Sequence, residues 1–191
     1  MRNRVVAATC CGLLFVLGAG TSASAGAASR AGDFSADLLP LNKDTTGTVD
    51  LHQTGSNLEV HVSVDGLDDG THLAHIHGMR QAEAECPALS ADANMDGRVD
   101  FAEGLPDYGP VQLTLSRGEA GTMLDYVRAF RHLDSGDGIA SLGSLDQYAI
   151  VIHGVDLEGD GVVDNPDVDG NGAGEPPGNE ISMPALCGVI E

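Results

Sequence analysis

The feature that most limits the fold is a two-residue alternation of apolar and polar side chains in the first third of the chain. Val49 and Leu51 form one short run, and a second run has apolar residues at every other position from Leu58 to Val64, with a polar turn at 53–57 between them. Side chains two residues apart lie on the same face of a strand, so the pattern predicts a β-hairpin with one buried face. Other apolar runs predict strands at 73–77, 111–116, 122–130 and 148–153.

Turn-forming Gly, Asp and Asn residues separate these strands, and no segment has the spacing of an amphipathic helix of three turns. The longest helix expected is a short one at 81–84. Two segments, 85–108 and 155–182, are long, acidic and rich in glycine. Connections of that length in a compact domain are usually functional or disordered, and their acidic spacing favours a function. The sequence therefore predicts an all-β fold, an antiparallel β-sandwich, with two long acidic insertions.

The first 25 residues have the organisation of a secretory signal peptide. Arg2 and Arg4 precede an apolar run over 5–17, and small residues follow up to an Ala-x-Ala sequence that ends at Ala25. The apolar run is too short to span a membrane. Cleavage near Ala25 would export the chain to the extracellular space or the cell envelope. The expected organisation is a signal peptide at 1–25, a flexible tail at 26–35 and one β-sandwich domain at 36–191.

Cleavage would leave two cysteines, Cys86 and Cys187, and two cysteines in an oxidising compartment most simply pair as a disulfide. It removes two of the nine Lys and Arg residues and none of the 29 Asp and Glu residues, so the mature net charge is about −22. Such acidity disfavours nucleic-acid and anionic-membrane partners. Metal cations are the expected partners, because they would relieve the self-repulsion of the acidic groups.

The segment from Asp92 to Glu103 fits the twelve-residue calcium-binding loop of EF-hand proteins. Glycine at the sixth position permits a sharp turn, an apolar residue fills the eighth, and glutamate at the twelfth can bind with both carboxylate oxygens. Calcium takes six to eight oxygen ligands, so a chain wrapped around it needs oxygen side chains at this spacing. The alternative is an acidic surface loop without an ion. The predicted ligands are Asp92, Asn94, Asp96, Arg98 through its carbonyl, Asp100 and Glu103.

A second, less regular calcium segment is predicted between 156 and 175. One frame has Asp167 at its twelfth position, where aspartate is shorter than glutamate, and a second frame restarts at Asp167 without an acid at its own twelfth position. Pro106 follows the first loop and Pro166 interrupts the second, so neither is expected to have the flanking helices of a true EF-hand. Both loops are expected to clamp long connections. The predicted ligands here are Asp156, Glu158, Asp160, Asp164, Asp167, Asp169 and Asn171.

His75 and His77 lie two residues apart on a predicted strand, so both imidazoles would face the same way and could bind one metal ion. The segment Gly70-Thr-His72-Leu-Ala-His75-Ile-His77 resembles the Gly-x-His-x-x-His-x-His segment of copper–zinc superoxide dismutases. Cys86 follows at the spacing where that family places a disulfide cysteine. The strand 149–153 and the ending Cys187-Gly-Val-Ile resemble later segments of the same family, in the same order.

This resemblance implies a Greek-key β-sandwich or barrel of the superoxide dismutase type, in which His72 is a structural neighbour of the metal site. Its departures are specific. Asp92 stands where the family has its metal-bridging histidine, Pro184 stands where it has its active-site arginine, and no histidine occurs between Gly78 and Arg131 to supply a zinc site. The implied function is a secreted, calcium-binding protein that holds copper, has weak or no dismutase activity, and lacks zinc. The implied copper ligands are His75, His77 and His153.

A second resemblance gives a different function. Ala74-His-Ile-His-Gly78 followed by Gly109-Pro-Val resembles the repeats of chordin-type (CHRD) domains. This shorter motif implies a calcium-stabilised binding or scaffold module that is not an enzyme and does not use its histidines. His52 and His61 alternate with the apolar residues of the first hairpin and are expected to face solvent in either case, and His132 is given no role.

Overall fold

The computed structural model describes residues 31–78, 85–131, 142–164 and 180–191. The predicted signal peptide and the short helix expected at 81–84 lie outside these ranges. The strands described are β1 (Gly32–Pro40), β2 (Gly47–Thr54), β3 (Asn57–Asp65), β4 (Asp69–Gly70), β5 (Leu73–His77), β6 (Val111–Thr114), β7 (Met123–Phe130), β8 (Ala149–His153), β9 (Val162–Val163) and β10 (Pro184–Val189). The helix α1 covers Phe101–Tyr108, and single 3-10 turns cover Leu89–Ala91, Leu145–Gln147 and Glu180–Ser182.

Eight of the strands form one antiparallel sheet in the order β6-β5-β8-β10-β1-β2-β3-β7. The sheet curls into a half-barrel around a core of aliphatic side chains. The alternation in the sequence sets this core, because β3 buries one face with Leu58, Val60, Val62 and Val64 while the residues between them are exposed or half-buried. The prediction of an all-β sandwich or barrel is confirmed.

Four strands predicted from single apolar runs are present as β5, β6, β7 and β8, with ends within two residues of those expected. The predicted tail at 26–35 is wrong at its end, because β1 begins at Gly32 and pairs with β2 from Gly32 opposite Gln53 to Leu38 opposite Gly47. Its polar residues alternate with Phe34, Ala36 and Leu38, which face the core. This inward face is what makes the segment a strand.

The first acidic loop does have a helix after it, contrary to the expectation from Pro106. The Asp100 side chain accepts from the Glu103 N–H (2.9 Å) and the Glu103 side chain accepts from the Asp100 N–H (3.0 Å), which is a capping box. This box starts α1 despite the proline inside the helix. The helix ends at Tyr108, and the N–H of the next residue, Gly109, donates to the Leu105 carbonyl.

Two further connections join the acidic segments to the rest of the fold, one of them through a separate two-stranded sheet of β4 and β9. β9, in the second segment, pairs in parallel with β4, so that segment contains a strand that its glycines and acids did not predict. The predicted disulfide between Cys86 and Cys187 is confirmed, with the Cα atoms 5.7 Å apart. It joins the start of the first acidic segment to β10. None of the helices in the described ranges has the length and apolarity that a membrane crossing requires.

Candidate metal centre

Three histidines meet on the neighbouring strands β5 and β8. His75 and His77 lie on β5 and His153 ends β8, and the antiparallel register places Leu73 opposite His153 and His77 opposite Ala149. One nitrogen from each imidazole lies within 4.8 Å of those of the other two. Within the described ranges, no other set of three His, Cys, Asp or Glu side chains comes this close together. The cluster can therefore hold a metal ion.

Backbone carbonyls orient two of the three rings. His77 Nδ1 donates to the Gly109 carbonyl (2.8 Å), and His153 Nδ1 donates to the Ser182 carbonyl (2.8 Å). A neutral imidazole with its proton on Nδ1 has a lone pair on Nε2. The two Nε2 atoms thus present lone pairs to each other at a distance of 3.4 Å. A cation between these lone pairs would turn a repulsive contact into an attractive one.

The third ring has an unsatisfied atom. His75 Nδ1 is buried and has no hydrogen-bond partner, and leaving a buried polar atom unsatisfied costs about 1–3 kcal/mol. Its ring lies 5.5 Å from the His77 ring and 5.1 Å from the His153 ring, between centroids. A metal ion bound by His75 Nδ1 and by Nε2 of the other two histidines would satisfy all three nitrogens. The residues present therefore fit a transition-metal ion.

Burial keeps the imidazoles neutral. Loss of solvation, with a smaller contribution from His77, lowers the pKa of His75 to about 4. Burial and then the two neighbouring histidines lower the pKa of His153 to about 3, against the opposite effect of its hydrogen bond to the Ser182 carbonyl. Burial also lowers the pKa of His77. Since a metal binds the neutral form of imidazole, the cluster does not have to lose protons at neutral pH before it binds.

The helix α1 packs against this cluster from the side of the first acidic loop. The Tyr108 ring lies edge-on to the His77 ring with centroids 4.8 Å apart, and the Phe101 ring lies 6.3 Å from the His153 ring. The Tyr108 hydroxyl donates to the Phe101 carbonyl (3.0 Å). A Cβ at Gly104 would lie 2.4 Å from the Tyr108 ring, so the tyrosine can fold back along the helix only because that residue is glycine.

His72 lies beside the cluster but presents no free nitrogen to it. Its Nδ1 contacts the His153 carbonyl (3.1 Å) and its Nε2 contacts the Asp68 carbonyl (2.8 Å). The approach is close, since a Cβ at Gly154 would lie 2.3 Å from His72 Nδ1. Gly154 also has a φ of +115°, which disfavours other residues. His72 thus joins the end of β8 to the turn before β5.

In the first acidic loop, side-chain oxygens accept hydrogen bonds from the backbone amides of the same loop. The Asp92 carboxylate accepts from the Asp96 N–H (3.2 Å) and the Gly97 N–H (2.8 Å). Asn94 Oδ1 accepts from the Asp96 N–H (2.9 Å), and Asp96 Oδ1 accepts from the Arg98 N–H (2.9 Å). These contacts are typical of acidic turns.

Glu103, at the twelfth position of this loop, reaches back across it. One carboxylate oxygen accepts from the Ala93 N–H (2.9 Å) and the Asn94 N–H (3.1 Å), and the other accepts from the Asp100 N–H (3.0 Å). These donors are the second, third and ninth positions of the loop. All six predicted calcium ligands thus lie on one closed loop. No three of its carboxylates come as close together as the three histidines do.

The second acidic loop repeats this arrangement with a residue that no sequence pattern indicates. Glu180 is 1% exposed. One of its carboxylate oxygens accepts from the Leu157 N–H (2.5 Å) and the Glu158 N–H (3.3 Å), and the other accepts from the Asp164 N–H (3.0 Å). Counted from Asp156, these donors are again the second, third and ninth positions. Glu180 therefore occupies in the second loop the place that Glu103 has in the first.

The first aspartate of the second loop also accepts from amides of its own loop, at the fourth and sixth positions. The Asp156 carboxylate accepts from the Gly159 N–H (2.6 Å) and the Gly161 N–H (2.8 Å), and the Gly161 amide is the main cause of its lowered pKa. Loss of solvation and the charges of four nearby carboxylates, first among them Asp160, raise the pKa of Glu158. Negative charge is thus concentrated here. The other predicted ligands, Asp167, Asp169 and Asn171, lie outside the described residues.

No local spacing signal identifies Glu180, because it lies near the end of the acidic segment, beyond both twelve-residue frames, and comes into the loop only through the fold. No protein-family model and no curated protein matches the chain. Its function is therefore inferred from its own residues.

Proposed function

We propose that this chain is an exported protein that holds a copper ion at His75, His77 and His153 and is stabilised by calcium in its acidic loops. The observation that carries the proposal is the convergence of three neutral imidazoles, two of them with Nε2 lone pairs face to face and the third with an unsatisfied Nδ1. Imidazole suits copper, zinc, nickel and iron. The resemblance to copper–zinc superoxide dismutases favours copper among them, and the disulfide is compatible with an oxidising compartment.

Weak or absent dismutase activity is part of the proposal. In that resemblance Asp92 and Pro184 take the places of the bridging histidine and the active-site arginine. A formal net charge of −20 also repels an anionic substrate such as superoxide. This chain's own residues would hold the metal and orient its ligands through the carbonyls of Gly109 and Ser182.

Copper loading of the mature chain tests this function. We expect the wild type to retain about one copper ion after dialysis, because three imidazoles form a complete ligand set once water is added. His75→Ala and His153→Ala should lose the ion. His61→Ala is the matched control, since His61 is an exposed histidine paired with Asp125 on the outer face of the sheet. Copper uptake by His153→Ala equal to that of the wild type would refute the copper site, and a parallel dismutase assay measures any activity.

The calcium part rests on the first loop's match to the twelve-residue pattern and on Glu103, which lies across the loop with both oxygens. The helix that follows supports it as well, since an exiting helix after the ninth position is part of an EF-hand. Calcium would be held by Asp92, Asn94, Asp96, the Arg98 carbonyl, Asp100 and Glu103.

In the second loop we propose Glu180 as the ligand that completes the site, in place of Asp167. Its contacts with the second, third and ninth amides of the loop match those of Glu103. It is also a buried carboxylate with no Lys or Arg partner in the described ranges. Three backbone amides donate to it, and a calcium ion would add the opposite charge. The proposed ligands of this site are Asp156, Glu158, Asp160, Asp164 and Glu180.

Calcium titration of single-residue variants separates the two loops. We expect two calcium ions per wild-type chain, with affinities as weak as about 10⁻⁴–10⁻³ M, as in other extracellular modules. Glu103→Gln and Glu180→Gln should each lose one ion and keep the other. Glu59→Gln, an exposed glutamate on β3, removes the same charge elsewhere and should keep both. Two ions bound to Glu180→Gln would refute the role of Glu180.

A further inference from the structure

The helix α1 belongs to both proposed sites at once. Its N-cap Asp100 and its third residue Glu103 are proposed calcium ligands, and their side chains also form the capping box that starts the helix. Its last residue, Tyr108, packs against His77, and the next residue, Gly109, accepts the hydrogen bond from His77 Nδ1. Eight helical residues therefore connect the first acidic loop with the histidine cluster.

This helix depends on its ends. Helices shorter than about 12–15 residues are marginal in water by themselves, and α1 has only eight residues, with Gly104 and Pro106 among them. Its interior is held by the Tyr108 hydroxyl, which donates to the Phe101 carbonyl. Whatever fixes Asp100 and Glu103 therefore also fixes the positions of Tyr108 and Gly109.

We infer that α1 couples the two sites, so that calcium in the loop from Asp92 to Glu103 tightens metal binding at His75, His77 and His153. This inference rests on the proposed function and names its regulation. The Gly109 carbonyl holds the proton of His77 on Nδ1, which leaves Nε2 free as a ligand. Ordering α1 costs free energy. When calcium binding has already ordered the helix, this cost no longer reduces the affinity of the histidine site for its metal.

Repulsion between the two cations opposes this effect, and salt screens it. The loop contains four carboxylates (Asp92, Asp96, Asp100 and Glu103) and one guanidinium (Arg98). Ca²⁺ changes the net charge of the loop from −3 to −1, so the gain from ordering α1 has to exceed the attraction for Cu²⁺ that is lost. By thermodynamic linkage, the metal at the histidines must tighten calcium binding by the same factor.

The test is a Cu²⁺ titration of the full mature chain against a competing chelator, in calcium-free buffer and with saturating Ca²⁺. We expect Ca²⁺ to raise the Cu²⁺ affinity by about fivefold or more, within the usual range of coupling between sites. His153→Ala gives the background of copper bound elsewhere. An unchanged Cu²⁺ affinity in a chain that binds both ions would overturn the coupling and leave the proposed function intact.

Two matched variants locate the coupling in the loop. Glu103→Gln keeps the capping box, because glutamine serves at the third helical position as well as glutamate does, but it loses the bidentate charged ligand. It should abolish the effect of Ca²⁺ on Cu²⁺ affinity. Asp107→Asn removes one negative charge from the same helix outside the loop and should keep the effect. An equal loss in both variants would show a charge effect and overturn the role of α1.

Titrations with each ion alone distinguish the failures. If Cu²⁺ fails to bind the wild type above the His153→Ala background, or Ca²⁺ fails to bind at all, then the proposed function is wrong and the coupling with it. If each ion binds alone and the two affinities are independent, only the coupling is wrong.

Discussion

Asn42 fastens the first acidic loop to the sheet with a single amide side chain. Its Nδ2 donates to the carbonyls of Val99 and Pro184 (both 2.7 Å), and its Oδ1 accepts from the Val99 N–H (2.9 Å). Val99 is the apolar eighth residue of the loop and is fully buried. The asparagine therefore pairs both backbone groups of a buried loop residue and joins them to β10.

We expect Asn42→Ala to lower the free energy of unfolding by about 1–3 kcal/mol, because it leaves the backbone groups of Val99 without partners. Asn42→Asp should be at least as destabilising, since it keeps the acceptor but replaces two donations with a negative charge beside two carbonyls. Urea unfolding in calcium-free buffer measures both. Wild-type stability in Asn42→Ala would mean that the loop is held by other contacts.

The histidine cluster makes the metal-free protein sensitive to mild acid. His153 has a pKa of about 3 in the folded chain and about 6.5 when unfolded. Between these values the unfolded chain binds more protons than the folded chain does. The contribution of neutral His153 to the free energy of unfolding is therefore present above pH 6.5 and is lost as the pH falls towards 3. We expect His153 to account for a loss of roughly 2 kcal/mol between pH 7 and pH 5.

Unfolding of the metal-free wild type and of His153→Asn at both pH values checks this prediction. The variant should lose less stability on going to pH 5, because it has no imidazole to protonate at that position. Parallel pH profiles for the two proteins would contradict it. Bound metal should remove the dependence in the wild type, since protons and metal compete for the same nitrogens.

A side chain closes the gap between the two edge strands of the sheet. β6 and β7 are its edges, and Arg128 on β7 donates to the carbonyls of Thr114, Leu115 and Ser116 at 3.0, 2.9 and 2.8 Å. Its guanidinium lies 4.6 Å from the centre of the Phe130 ring. A charged residue that points inward from an edge strand also discourages pairing with another chain.

We expect Arg128→Ala to lower the free energy of unfolding by about 1.5–3 kcal/mol, the usual value for hydrogen bonds to a charged group. Arg128→Lys should recover only part of the loss, because an ammonium lacks the planar fork of the guanidinium. Arg131→Ala, an exposed arginine next to β7, is the control and should change stability by less than about 0.5 kcal/mol. Thermal unfolding of the three variants distinguishes a closing contact from a general charge effect.

The strands were predictable from the sequence where apolar and polar residues alternate strongly. They were less predictable where pairing with a neighbouring strand determines the structure. β3 is predicted by four aliphatic residues on one face. β1 has only Phe34, Ala36 and Leu38 between polar residues, and it becomes a strand by pairing with β2. The sequence did not predict the helix α1, because Gly104 and Pro106 both disfavour helix formation. It forms because its cap and its tertiary contacts outweigh that propensity.

The candidate sites divide in the same way. The histidines on β5 could be identified from their spacing, because two residues two apart on a strand share a face. Asn42 reaches the first loop from a distant part of the chain, and Glu180 reaches the second loop from beyond its twelve-residue frame. A spacing rule describes only residues within that frame. The structure identifies Glu180 instead, because it accepts from amides at the same three loop positions as Glu103 does.

Across the whole molecule, the two acidic loops lie in a chain with 29 acidic and nine basic side chains. Lys43 forms an ion pair with Asp68, and it is the one Lys or Arg side chain that pairs with a carboxylate in the described ranges. Most of the negative charge is therefore uncompensated by side chains. Two different effects of added cations would relieve it: general screening, which depends on ionic strength, and specific binding, which depends on the ion.

Calcium and magnesium separate these two effects, because both carry two charges but differ in coordination. Mg²⁺ requires near-ideal octahedral geometry and gives up its water reluctantly, whereas the loops are long enough to offer six or more oxygens to Ca²⁺. At equal ionic strength we expect Ca²⁺ to raise the melting temperature of the mature chain well above the value in Mg²⁺, with a stabilisation near 2.7 kcal/mol per site when its concentration is about 100 times the dissociation constant. Asp92→Ala combined with Glu103→Ala should lose that site's share of the calcium increment and keep the magnesium one. Equal melting temperatures in the two salts would show that screening alone stabilises the fold, and that neither loop binds calcium.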